Sequence, residues 1–390
     1  MTRMSDTPTI VFLGTHGQYN IGDELLLETF LHHLGPQPSY VVNTYDKAFT
    51  GAQLGGRYRV ELVDTAGERV ALVRHLLRAD VVVFGGGSII KELYASVGRN
   101  RYATMLMILA IVLFTKWISR APIAMLNIGV GPIESATGRR LARLILGQVD
   151  RVTVRDPGSY ALCRAIGLDG SAVLLGTDAV FSVTPDWLLG AQPPTVAPRA
   201  GGPLRIALNL NFDIENPDNW EHFQSELAAA FRDLAARRPI ELHGLPMQSR
   251  GKERDDATIL RAFAARLPGV PFVEHQLGTH SDVARLIDSC DLLVSERLHA
   301  IVMAALLGVP SFVLAYDVKV RELAAMLELD EAVVDINTPF EASDVVRRIE
   351  AVLDDADGTG DRLRVRAERL GQRARVDLAA SSAWVLGRAS

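Results

Sequence analysis

Short apolar runs rich in β-branched residues alternate with longer amphipathic segments along most of this chain. Runs that are apolar at almost every position are typical of parallel strands covered on both faces of a sheet. Strands that alternate with helices in this way predict a doubly wound α/β architecture. In the first half the predicted elements are strands at Thr9–Gly14, Ser39–Thr44, Asp80–Phe84, Ile123–Ile128 and Arg151–Val154, and helices such as Asp23–Leu34 and Gly138–Gln148.

The segment Thr184–Pro203 interrupts this alternation with a cluster of prolines and glycines. Proline cannot continue a helix or an interior strand, so the segment is predicted to be a linker. Beyond it the alternation resumes, and strands are predicted at Leu204–Asn211, Ile240–His243, Phe272–His275, Leu292–Ser295, Ser311–Ala315 and Val333–Ile336.

The length of the chain, 390 residues, also favours two domains, since single hydrophobic cores stop growing at roughly 250 to 300 residues. We predict two Rossmann-like domains, residues 1–184 and 204–390, with the linker at 185–203 and a ligand cleft between the domains. The stretch Asp361–Ser390 is charged and has a helical period. It is a candidate for a last helix that crosses back to the first domain.

The charge balance and the cysteines narrow the class of protein. The net charge is −5 and no long basic stripe is present, so nucleic acid is not expected as a partner. Cys163 and Cys290 lie in segments predicted to be helical, which favours buried free thiols in a reducing compartment over a disulfide or a metal site. The polar stretch Met1–Pro8 lacks the apolar core of a signal peptide, so we expect a cytoplasmic protein.

Met105–Phe114 is the most apolar stretch of the sequence. Its roughly ten apolar residues fall short of the ~20 that span a bilayer. A buried helix is the favoured prediction. The alternative is peripheral membrane contact, in which this helix, flanked by Arg101 and Lys116, rests at the inner face of the cell membrane beside a lipid-linked substrate.

Two glycine-containing loops of the first half are candidate ligand-binding segments. The loop Gly14–Glu24 follows a strand and opens a helix, where free backbone N–H groups can meet an anion or a sugar oxygen. Within it, Asn20 and Asp23 are either ligand-binding residues or simple helix caps. The second loop is formed by three consecutive glycines, which would let a ligand approach the backbone closely: Gly85, Gly86 and Gly87.

Charged residues follow three further predicted strands. Arg155 could hold a phosphate or carboxylate through two N–H groups, and a surface arginine paired with Asp156 is an almost equal alternative. In the second half, Ser295–His299 concentrates polar groups at a strand-to-helix junction, where burial without partners is unfavourable. His299 is favoured as a functional residue over a satisfied core histidine. Lys319 follows the next strand and is predicted to project toward the same edge of the sheet.

The chain resembles the polysaccharide pyruvyl transferase family over roughly Gly14 to Leu327. The resemblance lies in the order and spacing of six motifs: Asn20–Glu24, Gly85–Gly87, Ile128–Pro132, Val154–Asp156, Ser295–His299 and Tyr316–Lys319. It implies a GT-B-like fold and a cell-envelope enzyme that transfers pyruvyl from phosphoenolpyruvate to two hydroxyls of a sugar. The acceptor would be a polysaccharide, a glycolipid or a lipid-linked precursor, and the products a pyruvate ketal and phosphate.

The resemblance also implies a set of site residues. Arg155, His299 and Lys319 match the family's donor-binding and catalytic positions. The first domain would face the acceptor and the second would bind phosphoenolpyruvate. The further substrate-binding candidates are Asn20, Asp23, Gly85, Gly86, Gly87, Glu296 and Arg297.

A mechanism follows from these residue types as a hypothesis. Phosphoenolpyruvate needs concentrated positive charge in an acidic protein, which Arg155, Lys319 and Arg297 would supply. His299 would protonate the donor, while Asp23 and Glu296 remain alternative bases. No cofactor and no metal is expected. The rival interpretations are a nucleotide-sugar-dependent glycosyltransferase of the same fold and a non-catalytic carbohydrate-binding homologue.

Overall fold

The computed structural model describes residues 7–93, 100–168, 170–191, 201–212, 215–248 and 255–389. The chain forms two compact units. Unit 1 comprises Met1–Gln18, Asp23–Ser182 and Gly371–Ser390, and unit 2 comprises Tyr19–Gly22 and Val183–Leu370. Each unit contains one parallel sheet with alternating helices, so the predicted α/β class is confirmed.

The strands of unit 1 are β1 (Thr9–Leu13), β2 (Ser39–Thr44), β3 (Arg59–Asp64), β4 (Val81–Gly85), β5 (Ile123–Ile128), β6 (Arg151–Val154) and β7 (Leu174–Leu175). They form a parallel sheet in the order β3-β2-β1-β4-β5-β6-β7. The strand order reverses between β1 and β4. In open α/β sheets, ligands bind beyond the carboxyl ends of the strands at such a switch point.

The helices that connect these strands are α1 (Ile21–Leu34), α2 (Lys47–Leu54), α3 (Arg69–Arg78), α4 (Ala103–Phe114), α5 (Ala136–Leu146) and α6 (Pro157–Ala165). A π-helical turn, Thr115–Ser119, continues α4. Helix starts follow local sequence chemistry: Asp156 caps α6 by accepting from the Ser159 N–H, and Pro157 needs no partner at the first position. The residue directly after Arg155 is therefore a helix cap.

Two strands of unit 1 were not predicted, for physical reasons. Strand β3 reads RVELVD and alternates charged with apolar residues because it is an edge strand with one exposed face. Strand β7 is only two residues long. The prediction of a buried helix at Met105–Phe114 is wrong for one face: Met105, Ile108 and Val112 are buried, whereas Leu106 and Met107 are about half exposed.

The elements of unit 2 follow the same alternation. They are α7 (Pro185–Leu189), β8 (Leu204–Asn209), α8 (Trp220–Arg237), β9 (Ile240–Gly244), α9 (Asp256–Ala264), β10 (Phe272–Glu274), α10 (His280–Asp288), β11 (Leu292–Ser295), α11 (Leu298–Leu307), β12 (Ser311–Ala315), α12 (Val318–Met326), β13 (Val333–Asp335), α13 (Ala342–Asp354) and α14 (Ala356–Ala389). The sheet order is β10-β9-β8-β11-β12-β13, with its switch point between β8 and β11.

Two details of the sequence interpretation are wrong in unit 2. The predicted linker contains helix α7, which begins with Pro185 because proline is tolerated in the first helical turn, and Thr184 caps it. The part of the predicted linker at 192–200 lies outside the described residues. Cys290 lies just beyond α10 rather than inside a helix, although both cysteines are buried and free.

Helix α14 begins in unit 2, and its residues from Gly371 onward belong to unit 1. The helix is amphipathic: Leu363, Leu378 and Val385 are buried, while Val376 is exposed. None of the described helices combines the length and the apolar character that crossing a bilayer requires.

Candidate functional site

In unit 1 the triple-glycine loop begins at the end of β4, at the switch point of the sheet. A Cβ atom at Gly85 would overlap the ring of Phe12. At Gly86, where φ is 65°, a Cβ would stand 2.8 Å from the side chain of Leu26. These two glycines are therefore required by packing and backbone conformation.

Gly87 differs from its two neighbours because it has open space beside it. A Cβ at this position would meet only Ile89 at 3.8 Å and Asp23 Oδ1 at 4.0 Å. Asp23 is partly exposed, and its Oδ2 accepts a hydrogen bond of 2.9 Å from the Thr15 hydroxyl. Asp23 and Gly87 thus flank the accessible part of this edge.

His16 and Glu24 are two buried titratable residues, and each interacts electrostatically with Asp23. Neither ring nitrogen of His16 has a hydrogen-bond partner among the described residues, and burial lowers the pKa of His16 to about 4, against an opposing effect of Asp23. Glu24 Oε1 accepts from the Gly17 N–H at 2.6 Å. Burial nevertheless raises the pKa of Glu24 to about 7. The sequence interpretation assigned no role to either side chain.

Arg155 is buried rather than a surface residue, being 5% exposed. Its Nη1 donates to Asp178 Oδ2 at 3.2 Å, and its Nη2 donates to the Ser88 hydroxyl at 3.1 Å. Asp156 lies farther from the guanidinium, at 3.8 Å. The arginine therefore connects the loop after β4 with the segment that follows β7, and its charge is balanced by Asp178.

In unit 2, His299 and Lys319 occupy matching places on neighbouring strands. Strands β11 and β12 are parallel and paired, and each is followed by a helix. His299 is the second residue of α11, and Lys319 is the second residue of α12. Both therefore lie at the carboxyl edge of the sheet, at helix N-termini whose partial positive charge favours anions.

Lys319 is partly exposed and forms an ion pair. Its Nζ lies 2.9 Å from Asp317 Oδ2 and 4.9 Å from the centroid of the Tyr316 ring. Burial favours the neutral amine, but attraction to Asp317 and to the Tyr316 hydroxyl outweighs that effect and holds the pKa of Lys319 above its usual value. The lysine therefore carries its positive charge throughout the physiological pH range.

Arg297 is held by a bidentate ion pair with Asp256. Arg297 Nη2 lies 2.7 Å from Asp256 Oδ1, and Nε lies 3.2 Å from Oδ2. The same carboxylate accepts from the backbone N–H groups of Met247 and Gln248, each at 3.1 Å. Because paired N–H groups match carboxylate geometry, this contact fixes the guanidinium. Asp256 was not identified from the sequence.

The first three residues of the Asn20–Glu24 motif belong to unit 2, and the third, Gly22, lies beside His299. The Ile21 N–H donates to the Met247 carbonyl at 3.0 Å, and Asn20 Oδ1 accepts from the Gly22 N–H at 3.0 Å. Asn20 therefore acts as a cap of α1, the simpler of the two predicted roles. A Cβ at Gly22 would overlap Nδ1 of His299.

Glu296 is completely buried, and its Oε2 accepts from Asn211 Nδ2 at 2.9 Å. Among the described residues, no group of three or more His, Cys, Asp or Glu side chains is arranged to hold a metal ion. The predicted site residues thus fall into two sets. One edge of unit 1 carries Asp23, Gly85, Gly86, Gly87 and Arg155, and one edge of unit 2 carries Asn20, Glu296, Arg297, His299 and Lys319.

Known structures share the fold of this chain. Anabaena HepE in complex with UDP and glucose is 15% identical, with a TM-score of 0.64 over 97% of this chain and 99% of that one. A putative UDP-N-acetylglucosamine 2-epimerase from Listeria monocytogenes is 12% identical, with a TM-score of 0.65 over 97% and 96%. A glycosyltransferase from Rickettsia africae is 12% identical, with a TM-score of 0.62 over 98% and 99%.

These likenesses show a GT-B-like α/β fold. No curated protein matches the chain. The model of the polysaccharide pyruvyl transferase family matches residues 20–318, which include all six motifs except the last residue of the final one. Membership of that family implies a transferase that acts on a sugar or polysaccharide. The resemblance inferred from the motifs is confirmed, and the chain belongs to the polysaccharide pyruvyl transferase family.

Proposed function

We propose that this protein transfers a pyruvyl group from phosphoenolpyruvate to two hydroxyls of a sugar, forming a pyruvate ketal and releasing phosphate. The observation that carries the proposal is the matching placement of His299 and Lys319 at the N-termini of α11 and α12. Two helix N-termini and a charged lysine suit a small, multiply charged anion. Unit 2 is accordingly the proposed donor unit, and unit 1 the acceptor unit.

The reaction needs one acid and acceptors for two protons. His299 is the proposed acid, which protonates the methylene carbon of phosphoenolpyruvate and makes C2 electrophilic. A sugar hydroxyl adds to C2 and loses its proton, and the bond from C2 to the phosphate oxygen then breaks. A second hydroxyl adds to the resulting oxocarbenium centre, gives its proton to the departed phosphate and closes the ketal.

The burial of the two candidate bases favours one of them. Asp23 is partly exposed beside Gly87, whereas Glu296 is completely buried. We therefore assign the acceptor-side base to Asp23. Arg155 would bind a substrate anion only by exchanging its contact with Asp178. A lipid-linked acceptor and action at the inner face of a cell membrane belong to the same proposal.

Calorimetric titration with phosphoenolpyruvate tests the donor assignment. Lys319→Met should weaken binding by about tenfold to a hundredfold, because it removes a charged contact. Lys47→Met is the matched control, since Lys47 is also paired with a carboxylate, Glu68, but lies in unit 1 and outside all six motifs. His299→Ala should retain binding and lose phosphate release in the presence of a panel of sugars.

Titration with UDP distinguishes the glycosyltransferase alternative. UDP binding without any binding of phosphoenolpyruvate would overturn the proposal and make the protein a nucleotide-sugar-dependent glycosyltransferase. If Lys319→Met binds phosphoenolpyruvate as tightly as wild type does, phosphoenolpyruvate remains the proposed donor, but the assignment of Lys319 to the donor site is wrong.

A further inference from the structure

Unit 1 carries a broad exposed surface of apolar side chains. On α3, Val70, Val73 and Leu77 are exposed, and they follow one another at helical spacing. On α4 and the π-helical turn, a second stripe is exposed: Leu106, Met107, Trp117 and Ile118. Trp117 is 70% exposed and Ile118 61%. Large apolar side chains grouped in this way mark an interaction surface.

The helices that carry these stripes cover the same face of the sheet. Leu76 of α3, Ile108 of α4 and Ile145 of α5 pack into one core with alternate residues of the strands. Helix α3 contacts the π-helical turn, and α4 contacts α5. On α5, Leu144 is exposed. The three helices and the turn therefore present one continuous outer surface, which we name the α3–α5 face.

Arginines are interleaved with the apolar stripes of the α3–α5 face. The exposed ones are Arg69, Arg74 and Arg78 on α3, Arg120 after the π-helical turn, and Arg139, Arg140 and Arg143 on α5. None of them forms an ion pair with a described residue. The four elements contain no Asp or Glu. This concentration of positive charge lies in a chain whose net charge is −5.

We propose that the α3–α5 face docks on the surface of an anionic lipid bilayer. Helices that lie along a membrane surface combine exposed apolar and aromatic residues with flanking arginines or lysines. Arginines that surround the apolar stripes would pair with anionic headgroups, while Trp117 and Ile118 enter the boundary region below them. A second copy of the chain fits less well, because a two-fold contact would bring the same arginines face to face.

The position of the α3–α5 face within unit 1 suits a lipid-linked substrate. Helix α4 runs from the carboxyl edge of the sheet toward its amino edge, because it connects the parallel strands β4 and β5. The face therefore reaches the edge that carries Asp23 and Gly87. Leu106 and Met107, near the start of α4, are the exposed apolar residues closest to that edge. Docking of this end of the face would hold the edge near the headgroups from which a lipid-linked sugar emerges, and only this last step rests on the proposed function.

Vesicle sedimentation tests the docking surface without donor or acceptor. The full chain is mixed with vesicles of phosphatidylcholine alone and with vesicles of phosphatidylcholine and phosphatidylglycerol in equal amounts. We expect about tenfold or greater preference for the anionic vesicles, and a loss of that preference at high salt. Equal partition into both kinds of vesicle, or none into either, would overturn the proposal.

Matched variants distinguish binding through the α3–α5 face from a general effect of charge or hydrophobicity on membrane binding. Arg74→Glu with Arg78→Glu should weaken anionic binding by about 30-fold or more, at about fivefold for each arginine removed. Trp117→Glu should weaken it by about tenfold or more. The controls are Arg369→Glu with Arg373→Glu, and Val376→Glu, all at exposed positions of α14. Controls that weaken binding as much as the tested variants would refute the assignment to the α3–α5 face.

Two further measurements test the alternative explanations, which are unfolding of the variants and self-association of the chain. Thermal melting, monitored by circular dichroism, shows whether each variant is folded. We expect all of them to fold because every substituted side chain is exposed. Analytical ultracentrifugation without lipid reports the oligomeric state. A dimer that Trp117→Glu dissociates would identify the occupant of this face as a second copy and overturn the lipid proposal. None of these results depends on phosphoenolpyruvate, so the proposed pyruvyl transfer stands or fails separately, whereas its proposed location at a membrane would fail together with the docking surface.

Discussion

Gly22 lies directly against the imidazole of His299, so closely that a Cβ atom at position 22 would overlap Nδ1 of the ring. The backbone at this position is fixed from two sides, by the bond from the Ile21 N–H to Met247 and by the bond from the Gly22 N–H to Asn20. One side of the His299 ring therefore contacts backbone that is held in place by these hydrogen bonds. The requirement for glycine in the Asn20–Glu24 motif follows from this contact.

Gly22→Ala should displace the imidazole of His299 without unfolding unit 2. A displacement of about 1 Å at a catalytic group can cost about 100-fold in turnover, whereas overpacking one methyl group costs about 1 to 3 kcal/mol of stability. The measurement is the ring signals of His299 in an NMR spectrum, assigned with His299→Ala, together with the rate of phosphate release.

Gly387→Ala is the control for adding a methyl group at a glycine. This residue lies in α14, and nothing stands within 4 Å of the position that its Cβ would take. It should leave the His299 signals unchanged and stabilise the helix slightly. Unshifted His299 signals in Gly22→Ala would contradict the contact described here.

Glu24→Gln should change the pH dependence of stability in a defined direction. Burial raises the pKa of Glu24 from 4.5 to about 7, so the folded chain keeps a proton that the unfolded chain releases. The stability that this proton contributes is fully present below the unfolded pKa and is lost as pH rises through about 7. Glutamine cannot ionise. Relative to wild type, the variant should therefore gain stability, up to about 3 kcal/mol, between about pH 5 and about pH 8.

The free energy of unfolding of Glu24→Gln must be compared with that of wild type at each pH, because His16 changes stability with pH in the direction opposite to Glu24. Its pKa falls to about 4 through burial, so its contribution to stability is lost as pH falls from 6.5 through about 4. Both proteins contain His16, so subtracting the wild-type free energy of unfolding from that of Glu24→Gln at each pH removes the contribution of His16. Urea unfolding at several pH values provides both curves, with the exposed Glu331→Gln as the control for loss of charge alone. Parallel curves for wild type and Glu24→Gln would show that the carboxyl is not perturbed.

The three cationic candidates of the sequence analysis share a feature that spacing did not reveal. Arg155, Arg297 and Lys319 are each held by an aspartate: Asp178, Asp256 and Asp317 respectively. Asp178 is 23 residues from Arg155, and Asp256 is 41 residues from Arg297. Only tertiary structure brings such pairs together. The cations could be identified from their places after strands, and Asp317 lies two residues from Lys319, but the distant partners Asp178 and Asp256 could not be identified.

The strands were predictable where both faces of a strand are covered. Such strands read as continuous apolar runs, and Ser39–Thr44, Ile123–Ile128, Arg151–Val154, Leu292–Ser295 and Ser311–Ala315 have the predicted bounds. The exposed edge strand β3 lacked that signal. The attachment of Tyr19–Gly22 to unit 2 was equally hidden, because it depends on a backbone hydrogen bond to Met247 and a β-bridge to Gln248 rather than on side-chain pattern.

Asp256→Ala should destabilise unit 2 strongly. The substitution leaves the Arg297 guanidinium without its bidentate partner and removes the acceptor for two backbone N–H groups. Removing one partner of a buried pair costs about 3 to 5 kcal/mol. Asp255→Ala is the matched control, because its carboxylate only caps α9 and should cost about 1 kcal/mol. Denaturant unfolding measures both, and equal losses would show that the Asp256 pair contributes no more than a cap.

Arg155 and Asp178 should behave as one energetic unit in a double-mutant cycle. Both side chains are almost completely buried, so Arg155→Ala and Asp178→Ala should each cost about 3 to 5 kcal/mol, because each leaves an uncompensated charge. The double variant removes both charges of this pair and should cost less than the sum of the singles by about 1 to 3 kcal/mol.

The exposed pair Arg237 and Asp233 provides the reference cycle, with side chains 48% and 44% exposed. Solvent screening limits such a pair to a coupling of about 0.3 to 0.5 kcal/mol. Comparable couplings in the two cycles would mean that Arg155 is not held by Asp178 in solution. In that case the guanidinium would be available for an anionic substrate without prior release from the carboxylate.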